Sequence, residues 1–178
     1  MESAQGEPAT AQSGGQGAFD NWELSGIYTF ATGQPMSVTV TSSVLGDVSG
    51  SNILARPDCV AGVDPDSGPK TFDQWFNPAA FAMPAKGTFG NCGPNNFRGP
   101  RINNWDMSLI KRIPLPNSDT RSIRLRVEAY NVFNHTQFNA INTAARFDGA
   151  GNQINSQFGQ AIGARQPRVL QLGATLYF

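Results

Sequence analysis

No stretch of this sequence approaches the roughly 18 consecutive apolar residues of a membrane-crossing helix, so a helical span is excluded. Charge is scarce. Asp, Glu, Lys and Arg make up 15% of the chain, against roughly 25% in ordinary soluble domains. Lys plus Arg equals Asp plus Glu at 13 each, so the overall charge exerts no pull towards nucleic acid or anionic lipid, and no nucleic acid is expected as a partner. Histidine occurs once, as His135, and cysteine twice, as Cys59 and Cys92. That set offers no zinc spacing and no Ser/His/Asp constellation, so the sequence predicts no metal, no cofactor and no enzymatic activity. Residues 1–20 have neither a basic start nor an apolar run and do not read as a secretory signal. Small, Gly-, Ser- and Gln-rich, they read as a disordered tail or loop remnant.

Glycine (19), proline (12) and phenylalanine (12) are plentiful. Between them run segments with a period of two, the signature of strands with unlike faces. Five are expected: Trp22–Ala31, Met36–Thr41, Asn103–Ile113, Arg121–Phe133 and Arg168–Phe178. In the fourth, Ile123, Leu125, Val127 and Ala129 alternate with Arg124, Arg126 and Glu128. Leu24, Phe30, Trp105, Leu109, Leu125, Val127, Leu172 and Leu176 are expected on one continuous apolar face. Short turns are read over 32–35 and 114–120, and long Gly/Pro/Asn-rich loops over 42–101 and 134–166.

Segments of about ten residues suit a tilted transmembrane strand better than a soluble one. Trp22, Phe30, Trp105, Phe133 and Phe178 lie near segment ends, as interfacial girdles require. Arg and Glu on the opposite face suit a water-filled lumen. Long loops alternate with short turns, as they do between the outer and periplasmic sides of such barrels. The expected fold is therefore all-β: an antiparallel up-and-down sheet of about five strands over residues 21–178. It would form part of an outer-membrane β-barrel with two long extracellular loops, in the bacterial outer membrane. Sequential segments are expected to pair with one another in chain order. The alternative is a secreted or cell-surface β-sandwich that binds carbohydrate through its loop aromatics.

The last segment places Leu170, Leu172, Ala174, Leu176 and Phe178 at alternate positions, with Tyr177 penultimate. It resembles the signal that the barrel-assembly machinery reads in outer-membrane proteins. More widely, WELSGIYTFATGQPMSV, TFDQWFNPAAFAMPAKGTFGNCGPNNFRGPRINNWDMSLIKR, LRVEAYNVFNHTQFN and LQLGATLYF are similar to the C-terminal barrel of TonB-dependent receptors. The nearest likeness is to the Oar-like group with a carboxypeptidase-regulatory-like domain, over about residues 20–178. The resemblance implies a parent that imports a nutrient or other large solute. It also implies outer-membrane lipid and the assembly machinery as partners, with the TonB system engaged only through an N-terminal part that this chain lacks. The chain is thus expected to be a fragment of a larger barrel.

Cys59 and Cys92 lie 33 residues apart in one predicted outer loop and are a disulfide candidate. Trp75, Phe76 and Phe81 are candidate ligand contacts, although aromatics in a long loop more often pack it together. Arg124, Arg126 and Glu128 are candidate lumen-facing residues, set against the plainer expectation of a ladder of ion pairs with neighbouring strands.

Overall fold

The computed structural model describes residues 20–41, 56–116 and 120–178. The tail expected over 1–20 lies, apart from Asp20, outside the described residues. Among the described residues twelve strands follow in chain order: β1 (Trp22–Ala31), β2 (Pro35–Met36), β3 (Thr39–Thr41), β4 (Asp58–Cys59), β5 (Phe81–Ala82), β6 (Phe97–Arg98), β7 (Ile102–Pro114), β8 (Ser122–Tyr130), β9 (Phe138–Ile141), β10 (Ala144–Arg146), β11 (Ala161–Ala164) and β12 (Val169–Tyr177).

Four of these are long, and they form one sheet in the order β1-β7-β8-β12 with every neighbour antiparallel. The register places Leu24, Leu109, Val127 and Leu172 in one row across all four strands. Gly26, Met107, Ala129 and Leu170 form the next such row. Between them, on the opposite side, runs Ser25, Ser108, Glu128 and Gln171. Side chains alternate across a strand, so the ladder fixes one apolar and one polar face, with Leu125 and Arg124 on opposite sides. All eight residues expected on the apolar face share it.

The Met36–Thr41 segment departs from expectation. It does not join the main sheet, which has four strands rather than five. β1 pairs along its whole length with β7 instead. β2 pairs with β6, and β3 lies parallel to β10. The alternation of Val38 and Val40 is real, since both are buried, but they are buried among loop residues. Period two reports that one face is covered; it does not report by what. The main sheet's connections are consequently 32–101 (long), 115–121 (short) and 131–168 (long), and the alternation of lengths is preserved.

β8 also ends earlier than Phe133. Asn131 and Asn134 both take positive φ, a conformation that asparagine tolerates, and the chain turns there. The Asn131 side chain donates to the carbonyls of His135 (3.2 Å) and Gln166 (3.4 Å), and Asn134 Oδ1 accepts from the Arg168 backbone (3.1 Å). These two residues join the end of β8 to the approach of β12.

The buried apolar cluster contains Val38, Val40, Phe76, Phe81, Phe97, Ile141, Phe147 and Phe158, and none of its members lies on the four long strands. Leu24 is 65% exposed and Leu172 81%. The two long connections interlock into a folded cap with its own core, while the apolar face of the sheet stands exposed.

Candidate functional site

The WFNPAAF stretch builds the centre of the cap. Trp75 N donates to Gly159 O (2.7 Å), across from one connection to the other, and its indole Nε1 donates to Arg98 O (2.8 Å). Phe76 has no exposed surface and meets Phe97 (ring centroids 4.4 Å), Phe158 (5.0 Å) and Phe81 (5.6 Å). Asn77 caps a 3₁₀ turn over Pro78–Ala80 by accepting from Ala79 N (3.1 Å). Phe76 and Phe81 are thus enclosed packing residues that offer no face to a ligand. Trp75 is half-buried at the cap surface.

Cys59 and Cys92 are joined by a disulfide with Cα atoms 5.0 Å apart. The neighbouring chain holds them in register: Asn91 Oδ1 accepts from Cys59 N (2.7 Å), Asp58 Oδ1 from Asn91 N (2.8 Å), and Pro57 O from Cys92 N (3.1 Å). Gly90 has φ +69°, and a Cβ there would stand 2.2 Å from Arg56 O, so GNC requires its glycine.

On the polar face of the sheet, Arg126 pairs with Glu128 of its own strand, not across to a neighbour. Arg124 stands directly opposite Arg112. The Arg112 residue was missed in the sequence, although continuing the polar positions Asn104, Asp106 and Ser108 by twos reaches it. Arg112 Nε donates to the buried Ser122 Oγ (3.2 Å). Nearer the cap, Asp106 Oδ1 accepts from Asn104 Nδ2 (2.7 Å) and from Asn131 N (2.9 Å), and Asn104 Oδ1 accepts from Gln137 Nε2 (3.2 Å). This amide network fastens the cap's root to the polar face. His135 contributes its backbone carbonyl to that root.

The apolar face carries aromatics at both ends. At the cap end, Trp105 meets Tyr28 (4.6 Å) and Phe133 (6.5 Å). At the other end, Lys111 reaches over the Trp22 ring (4.9 Å) and donates to Asp20 O. The two bands are roughly 20 Å apart at about 3.3 Å per residue. Leu170, Leu172, Ala174 and Leu176 lie on this face, Tyr177 lies on the polar face, and Phe178 follows β12 almost fully exposed.

Among the described residues no group of three or more His, Cys, Asp or Glu side chains is arranged to hold a metal. Among the described residues no second sheet packs against the apolar face, as a sandwich requires. Strands near ten residues long, apolar on one face and charged on the other, with alternately long and short connections, are the wall of an outer-membrane barrel. The chain belongs to the outer membrane beta barrel domain family, whose model matches residues 6–171. It is a protein of the bacterial outer membrane. No curated protein and no solved structure matches it.

Proposed function

We infer that the sheet is a section of the wall of a TonB-dependent-receptor-type barrel, one that imports a nutrient or other large solute. The observation that carries this reading is the division of one sheet into an uncovered apolar face and a face bearing Arg112, Arg124, Arg126 and Glu128. The apolar face lies against lipid, and the charged face lines a wet lumen, where it pairs with a plug or steers anionic solutes. The aromatic residues at the two ends mark the two interfaces. Long connections lie outside and the 115–121 turn lies in the periplasm. β1 and β12 each have one neighbour among the described residues, so both edges are open to further barrel strands. The family resemblance supplies the receptor class, and with it the assembly machinery as a partner of β12.

Two experiments test this. An epitope inserted after Lys86 is expected to be reached by antibody on intact cells, and one inserted after Pro116 only after permeabilisation. The reverse pattern refutes the orientation. Sequencing the genome upstream of Met1 is expected to show an open frame encoding a plug and further strands; an unrelated reading frame there refutes the receptor class.

A further inference from the structure

Where β1 leaves the sheet, a cleft of about 440 Å³ opens between Phe30, Thr32, Gly33, Lys70, Trp75, Arg98, Gly99 and Arg101. Its charged lining residues are all cations. Its position is defined from below by Phe30, which is 56% exposed and lies on the sheet's apolar face.

The site is built and braced. A Cβ on Gly33 would stand 1.8 Å from Gly99 O, so the backbone segments that frame the cleft are in close contact. Gly99 N donates to Gln34 O (2.8 Å), and Pro35 pairs with Arg98. Asp66, beside the cleft, pairs with Lys70 and accepts from Arg98 N (3.1 Å). Lys70 Nζ lies 5.9 Å from the Trp75 ring centroid. Asp66 offsets one of the three positive charges, so the cleft keeps a net positive charge and two guanidinium groups. Arg98 Nη1 makes only a long contact to Gly33 O (3.5 Å), and Arg101 is exposed and makes no ion pair among the described residues. Guanidinium forks match phosphate oxygens in pairs.

We propose that this cleft binds a phosphorylated lipid of the outer leaflet, with the phosphate on Arg98 and Arg101 and an acyl chain against Phe30. The placement at the outer headgroup level rests on the orientation proposed above. The recognition chemistry does not: an anion site continuous with an apolar sheet face fits an amphipathic phosphate better than a free one.

The test uses the whole chain in detergent, with its Cys59–Cys92 bridge verified, and native mass spectrometry as the readout. Lipid A with its phosphates, enzymatically dephosphorylated lipid A and inorganic phosphate are the probes. Phosphorylated lipid A is expected to bind at least tenfold more tightly than the dephosphorylated form. Arg101→Gln is expected to remove most of that difference, and Arg101→Lys to restore part of it. Arg101 makes no ion pair in the described fold, so loss of folding does not confound its replacement. Equal binding of both lipids, no binding by the wild type, or an unaffected R101Q overturns the proposal. Competition by inorganic phosphate at concentrations equal to the lipid's overturns the lipid as its source. The epitope experiment is independent of this one, so a failure of orientation and a failure of the site are told apart.

Discussion

At the residue scale, the cap and the sheet obey opposite rules. Phe76 is enclosed by three rings, and truncating it leaves a cavity that the braced cap is poorly placed to fill. Phe76→Ala is expected to cost about 3–5 kcal/mol of cap stability, read from denaturant unfolding followed in the aromatic circular dichroism; a cost under about 1 kcal/mol would show that the rings do not form a core. Asp66 supplies a pH dependence. Burial pushes its carboxyl up, but the Lys70 hydrogen bond, the Arg98 N–H and both cations outweigh burial and hold it below its ordinary 3.8. The unfolded chain therefore takes up the proton first as pH falls. The stabilisation is complete above 3.8 and is lost as pH drops through the lower folded value. The protection factor of the Arg98 amide, its exchange relative to the intrinsic rate at the same pH, is expected to fall on acidification in the wild type and to be low at all pH values in Asp66→Ala; an unchanged factor in both would remove Asp66 as the tie.

At the scale of elements, the two faces were legible because alternation is a direct imprint of the pleat. Leu125 and Arg124 could be assigned to opposite sides from sequence alone. The destination of Met36–Thr41 was not legible, because Val38 and Val40 announce a covered face without naming its cover. The pairing of Arg126 was hidden for a similar reason: sequence places Glu128 on its face but does not choose between a neighbour on the same strand and one across the ladder. WFNPAAF was recognisable as a motif, and its role as packing follows from distances that sequence does not contain. The faces lend themselves to a paired substitution. Leu172→Arg, on the apolar face between the two aromatic bands, is expected to cost about 2–4 kcal/mol in a bilayer, whereas Gln171→Arg, one position away on the polar face, is expected to cost little. Folding titrations into lipid vesicles measure both, and equal costs would mean that the two faces have been exchanged.

For the whole molecule, the folded cap and the uncovered sheet should respond to different insults. In the entropy model, a disulfide closing a loop of 33 residues contributes about 3–4 kcal/mol. Reduction is expected to raise hydrogen exchange across 56–101 and leave β7, β8 and β12 protected; uniform loosening would mean that cap and sheet unfold as one. Leu24, Leu172 and their rows present a continuous exposed apolar face, of the kind that marks an interaction surface. The chain is accordingly expected to associate in water and disperse in detergent, and a monodisperse detergent-free monomer in sedimentation would contradict the barrel-wall reading.

The parallel contact between β3 and β10 joins a connection that leaves β1 to one that arrives at β12. Mechanically it is a tie-rod across the top of a four-stave arc. The capped rim then has a fixed chord, whereas at the opposite rim, among the described residues, no such tie spans the staves beyond the ladder itself and the 115–121 connection. Such a wall is stiffer where the cap sits than at the end that carries Trp22 and Tyr177, so a load on the arc is expected to open that end first.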